Sequence, residues 1–166
     1  MGTKRNCKDV NARSIPLYIP LHNTSRSAMQ VLRTTPGRAR IMASIRASGN
    51  RTTELALARM LRISRIHGWR RHQLLPGRPD FCWPTLRLAV FVDGCFWHGC
   101  PRCYQKPRNN SAYWALKVKT NKARDRKVTR HLASAGWRVV RIWECEVQHP
   151  GSLRRIRSAL QRPTRR

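Results

Sequence analysis

The chain has 166 residues, 40% of them hydrophobic, and carries 35 Lys+Arg against 7 Asp+Glu, a formal net charge of +28. That length suits one domain with a sizeable core, and the apolar content excludes a chain disordered throughout. No run of about 18 uncharged apolar residues occurs, which argues against a membrane span. The basic N-terminus is not followed by an apolar stretch and a cleavage site, so an intracellular protein is expected. A charge this basic attracts polyanions through Coulomb forces and counterion release, which makes nucleic acid the expected partner.

The seven acids are Asp9, Glu54, Asp80, Asp93, Asp125, Glu144 and Glu146. Where carboxylates are this scarce, each invites a reason. Binding an oxygen-ligated metal such as Mg²⁺ is one.

In chain order, residues 1–37 hold Pro16, Pro20, Pro36 and Gly37 without a sustained period, and are expected to form a flexible basic extension. A single domain is expected over 38–166. RTTELALARMLRISRIHGW, residues 51–69, predicts a helix with Leu57, Met60 and Leu61 on one face and Gly68 as its stop. Glu54, in its first turn, can point near that buried face. Trp69–Leu75 reads as a strand, residues 76–79 as a turn, and Asp80–Trp83 as extended chain. Leu86–Val92 is a short apolar run suited to a central strand. A loop over Gly94–Asn110 follows, long enough to need a function or something that ties it down. Ser111 to about Ala135 predicts a long helix stopped by Gly136, Trp137–Trp143 a strand, and Leu153, Ile156 and Leu160 a last helix. This order predicts an α/β fold, a mixed central sheet flanked by helices.

Cys95, Cys100 and Cys103 form C-x4-C-x2-C inside the loop, and Cys145 follows the last strand. Four thiolates are what a closed tetrahedral zinc site requires, and a metal would order the long loop. The rival is free or disulfide-bonded cysteines, and an intracellular compartment disfavours disulfides. Cys7 and Cys82 are left outside the site.

Trp114, Val118, Asn121, Asp125, Val128 and Leu132 lie at alternating spacings of four and three, one face of the long helix. Asn121 and Asp125 on that stripe need partners. Asp125 reads equally as a functional acid or as one half of an arginine ion pair. Asp80 and Asp93, at one end of two neighbouring strands, converge if those strands pair, and Glu54 can join them; a turn-forming role for each aspartate is the alternative. His98, within the cysteine loop, is free for general-base work near neutral pH or is simply a loop residue. Phe96, Trp97, Tyr113 and Trp114 can stack on bases or pack the loop onto the core.

The ordered motifs GRPDF (77–81), VFVDGCFWHGCPRC (90–103), AYW (112–114), NKARDR (121–126) and GWRVVRIWEC (136–145) resemble the very short patch repair DNA mismatch endonucleases. The resemblance covers about residues 40–146. It implies a type II restriction endonuclease-like core with a zinc-stabilised loop, and a single nuclease domain over 38–166. It also implies an Mg²⁺-dependent nick in double-stranded DNA, 5′ to the T of a T:G mismatch. By the same resemblance Asp80 and the Val92 backbone carbonyl hold Mg²⁺, and His98 is the general base. Glu54 and Asp125 match further acidic active-site positions. Cys95, Cys100, Cys103 and Cys145 match zinc ligands. Phe96, Trp97 and Trp114 match aromatics that intercalate beside the mismatch; Asn121 is expected with them at the DNA. Arg102, Lys106 and Arg108 are expected to grip the backbone.

Asp93 stands where the best-known member of that family has histidine, and is expected as a second carboxylate near the metal. Cys100 stands where that member has a zinc-binding histidine. A monomer in the bacterial cytoplasm, on the nucleoid and with mismatch-repair proteins as further partners, completes the expectation. Two rivals stand beside it: a non-enzymatic zinc-binding nucleic-acid protein, and a related nuclease of restriction or other-lesion specificity.

Overall fold

The computed structural model describes residues 53–162, so the extension expected over 1–37 and Asp9 lie outside the described residues. Helix α1 spans Glu54–Ile63 and buries Leu57, Ala58 and Leu61, with Glu54 also turned inward. It ends earlier than the sequence pattern suggests. Arg65 already has a φ of +51°, and Gly68 then takes +80° in the turn that follows.

The strand expected at Trp69–Leu75 does not form. A single antiparallel bridge joins Arg70 to Cys82, with N···O distances of 2.8 and 2.9 Å. Beyond it His72 and Arg78 take left-handed φ values of +55° and +50°. The run Arg70-Arg71-His72-Gln73 has no alternating apolar face to bury, so nothing repays extending the ladder.

Strand β1 (Phe81–Trp83) runs through a Pro84–Leu86 turn into β2 (Leu88–Asp93). The two pair antiparallel, Phe81 opposite Val90. Strand β3 (Arg138–Trp143) pairs parallel to β2, from Leu88 opposite Arg138 to Asp93 opposite Trp143. A parallel pair needs a long crossover. Here it is made by the one-turn helix α2 (Cys95–His98), the cysteine loop and helix α3 (Ser111–Ser134). Helix α4 (Pro150–Gln161) closes the described chain, with Pro150 in its first turn and the Gly151 N–H donating to His149 Nδ1.

The central strand β2 is apolar and buried on both faces. Its alternate side chains feed two cores. Leu88 and Val90 pack with Leu57, Leu61, Phe81, Ile142 and Ile156, between α1 and α4. Ala89 and Phe91 pack with Leu132 and Val128 of α3. The stripe on α3 faces inward as its spacing indicates, with Trp114, Val118, Asn121 and Leu132 buried. The result is a mixed three-stranded sheet with helices, an α/β arrangement. Among the described residues no helix is long and apolar enough to cross a membrane.

Candidate active site

Antiparallel pairing sets the start of β1 beside the end of β2, which brings Asp80 next to Val92 and Asp93. The Val92 N–H donates to Asp80 Oδ2 at 2.6 Å. Burial pushes the Asp80 carboxyl up to about 6 from its ordinary 3.8; the Val92 hydrogen bond opposes this, the charges of Glu54 and Asp93 add to it, and Arg71 opposes it. Glu54 of α1, Asp80 just before β1 and Asp93 of β2 therefore share one field. Glu54 is ion-paired with Arg71, whose guanidinium lies 5.7 Å from the Phe81 ring centre.

A second group abuts the first. Asp93 from β2, His98 from α2 and Asp125 from α3 place ligand atoms within 4.8 Å of one another. His98 Nδ1 lies 2.5 Å from Asp125 Oδ2 and 3.8 Å from Asp93 Oδ1. Arg141 of β3 joins them. Its Nε donates to Asp93 Oδ2 at 2.7 Å and its Nη2 to Asp93 Oδ1 at 2.6 Å, while Nη2 also lies 3.0 Å from Asp125 Oδ1. Asp125 thus makes the arginine ion pair that was one of its two readings, and pairs with His98 of the candidate site as well. Its carboxyl is held below the ordinary range: burial works against ionisation, but the His98 hydrogen bond and the charges of His98, Arg141 and Arg124 outweigh it. Arg141 is held more firmly protonated than usual, burial being outweighed by the hydrogen bond and charge of Asp93 and by Asp125.

Arg141 was not among the residues the sequence singles out. Its one signal is that it shares a strand face with Val139, and that face looks toward α3, where a charge must be paired. Among 35 basic residues that signal is faint.

The three loop thiols and Cys145 converge. Cys95, Cys100, Cys103 and Cys145 have sulfurs within 4.8 Å of one another, and Cys100 and Cys145 are 3.9 Å apart. A tetrahedron with Zn–S arms of about 2.3 Å has edges of about 3.8 Å, so the donor set fits a closed four-sulfur ion site. Burial raises the Cys145 and Cys95 thiols, whereas at Cys100 burial is outweighed by the backbone N–H groups of Arg102 and Cys103 and the thiol is lowered. The Cys95 N–H donates to Glu144 Oε2 at 3.3 Å, and Glu146 binds both Arg102 of the loop and Arg155 of α4. Cys82 stays apart, buried in β1 opposite Ala89.

The aromatics split into two roles. Trp114 is 3% exposed and lies beneath the others, 4.9 Å from Phe96 and 5.8 Å from Trp97 between ring centres. Phe96 and Trp97 are half-buried on α2 and pack edge to face at 5.4 Å. Asn121 is buried and donates to the Trp97 carbonyl at 2.7 Å, so it ties α2 to α3. Arg102, Lys106 and Arg108 are exposed along the loop, and Lys106 lines a groove with Tyr104, Lys119, Lys122 and Arg126.

A family model described as DNA mismatch endonuclease Vsr matches residues 31–105. A Xanthomonas oryzae pv. oryzae protein named Type II nicking enzyme V.XorIIP is 40% identical over 132 residues, 77% of this chain and 96% of its own length. The chain belongs to the Vsr family of DNA endonucleases. Type II nicking enzyme V.NaeI of Lentzea aerocolonigenes is 37% identical over 116 residues, 66% of this chain and 69% of its own length. DNA mismatch endonuclease Vsr of Escherichia coli (strain K12) is 41% identical over 76 residues, 45% of this chain and 48% of its own length. Membership in the Vsr family makes the protein a DNA hydrolase and removes the non-enzymatic reading. The match to the family model spans residues 31–105 and stops short of α3, so Asp125, Arg141 and Cys145 stand on the geometry above.

Proposed function

We propose that the protein nicks double-stranded DNA 5′ to the T of a T:G mismatch, using Mg²⁺ at Asp80 and a structural zinc at the four cysteines. The observation that carries the metal-dependent nick is the meeting of Asp80, Glu54 and Asp93 with the His98–Asp125 pair at the carboxyl end of β2, while the mismatch rests on the family and on the relative named DNA mismatch endonuclease Vsr. Ligand sites in open α/β sheets favour that end of the strands. The helix, hairpin and parallel strand around it support a type II restriction endonuclease-like core.

Burial first, and the charges of Glu54 and Asp93 after it, push the Asp80 carboxyl up to about 6, so its ionised form lacks compensating positive charge. A dication fits that deficit. Asp80 and the Val92 carbonyl would hold it, with Glu54 alongside. Bound Mg²⁺ supplies electrostatic stabilisation of charge building on the phosphate. Asp93 is turned to another task, since both its oxygens accept from Arg141.

His98 acts as general base. Its Nδ1 is committed to Asp125, which leaves Nε2 to take a proton from the attacking water. Phe96 and Trp97, immediately before His98, wedge into the mispaired step; unstacking costs a few kcal/mol and is cheapest at a mispair. Trp114 supports them from below, and Asn121 holds the Trp97 backbone. Arg102, Lys106 and Arg108 hold the DNA backbone. One chain supplies every group named, so a monomer suffices.

A specificity tied to a restriction system is the second reading, favoured by relatives named type II nicking enzymes. A panel of T:G, matched and damaged duplexes, with Mg²⁺, tests both. Nicking of the T strand at T:G alone, lost in Asp80→Ala, is expected. Equal nicking of matched duplexes would overturn the mismatch assignment, and activity surviving in Asp80→Ala would overturn the metal assignment.

A further inference from the structure

We infer that Arg141 is a positioning residue for the reaction: its guanidinium fixes Asp93 and Asp125 so that His98 binds Asp125 and presents Nε2 outward. This rests on the reading of His98 as general base.

The argument is one of competing acceptors. His98 Nδ1 has two carboxylate oxygens near it, Asp125 Oδ2 at 2.5 Å and Asp93 Oδ1 at 3.8 Å. The second of these is the oxygen that accepts from Arg141 Nη2 at 2.6 Å. Arg141 therefore holds the rival oxygen toward β3, at a distance from the ring that is too long for a hydrogen bond, and leaves the ring one partner. The same Nη2 reaches Asp125 Oδ1 at 3.0 Å, which fixes the plane of the carboxylate that holds the ring. The fold supplies the guanidinium from outside the site. β3 runs parallel to β2 with Arg141 opposite Phe91, whose ring centre lies 4.8 Å from the guanidinium carbon. Asp93 comes from β2 and Asp125 from α3, so Arg141 ties acids that no covalent path keeps in register. Only a planar fork offers Nε and Nη2 to one carboxylate and still reaches a second; an ammonium cannot. The orientation is held although Arg141 Nη1 is buried without a hydrogen-bond partner among the described residues, as expected if the two carboxylates dictate it.

The bland reading is that Arg141 merely neutralises buried Asp93. Three variants of the full-length, zinc-loaded protein separate the two: Arg141→Met, Arg141→Lys, and the pair Asp93→Asn with Arg141→Met. On a mismatched duplex with Mg²⁺, Arg141→Met should lower kcat about 100-fold with KM unchanged, as expected for loss of general-base orientation. Arg141→Lys should recover thermal stability more than kcat. The double variant, which removes the buried charge with its partner, should recover stability while kcat stays low. Recovery of kcat together with stability would overturn the inference.

A readout free of turnover is the ¹⁵N NMR signature of the His98 ring at one fixed pH. Wild type should show one slowly exchanging Nδ1–H, and Arg141→Met an averaged ring. An unchanged ring overturns the inference. A wild-type protein that nicks no mismatched duplex overturns the parent reading instead, and the ring spectrum still decides the role of Arg141.

Discussion

Asp80→Asn isolates a carboxyl that burial holds well above its ordinary range. The rise of this carboxyl from 3.8 to about 6 corresponds to roughly 3 kcal/mol at about 1.4 kcal/mol per pH unit, an upper figure for a side chain that is not fully buried. The sign follows from linkage. A carboxyl whose folded value is raised contributes stability that is fully present below about 3.8 and is lost as pH rises through about 6. Wild type at about pH 8 bears the whole cost of an ionised Asp80, whereas at about pH 4 the group is nearly neutral in the fold. Asparagine keeps an oxygen to accept the Val92 N–H and carries no charge to repel Glu54 and Asp93.

The expected result is that Asp80→Asn abolishes nicking yet stabilises the protein. Urea unfolding of zinc-loaded protein without added Mg²⁺, run from about pH 4 to about pH 8, should show a gap that opens with pH toward roughly 1–3 kcal/mol. Added Mg²⁺ should then close it by stabilising wild type alone. A gap that does not change with pH, or a variant less stable than wild type at about pH 8, would refute the reasoning.

Metal analysis of purified protein should find one zinc per chain, and Cys145→Ser should lose it and lower the thermal midpoint, because Cys145 is the one ligand of the four that comes from the chain after β3. Trp97→Ala should weaken mismatched-duplex binding tenfold or so with little change in unfolding, whereas Trp114→Ala should cost about 3–5 kcal/mol of stability, measured by denaturant titration. Gly99→Ala should destabilise by about 2–4 kcal/mol. Its φ is +64° and the added Cβ would sit 2.5 Å from Val118 Cγ1, so the same titration checks it.

What was legible in the sequence follows from how local each signal is. The α3 stripe, the apolar β2 run and the C-x4-C-x2-C spacing each declare themselves within a few residues, and the structure bears them out in Trp114, Val90 and the clustered thiols. The segment 69–75 misleads because aromatic and apolar ends, Trp69 and Leu75, frame a polar middle that has no sheet neighbour to satisfy it. Arg141 stayed hidden for a different reason. Its role depends on the parallel register that sets it opposite Phe91 and near Asp93, and register between strands about 50 residues apart is a property of the crossover, not of either strand.

The seven acids are distributed unevenly over the chain. Of the seven, all but Asp9 are among the described residues, and none of those six is fully exposed on the surface. Glu54, Asp80, Asp93 and Asp125 gather around the end of β2, and each has a cationic or N–H partner there. Glu144 and Glu146 brace the cysteine loop, one through the Cys95 N–H and the other through Arg102 and Arg155. A surface stripped of carboxylates presents little to repel phosphates, and a long-range attraction that acts on any DNA follows from it. The acids that remain are confined to places where a specific geometry is needed. On this partition, non-specific affinity and chemistry are carried by separate residue classes. Salt should therefore weaken DNA binding steeply, while single-turnover nicking measured at saturating protein should change little. If salt depressed both together, the groups that carry the chemistry would have to depend on the same long-range attraction, contrary to the short-range pairing of Asp93 and Asp125 with Arg141.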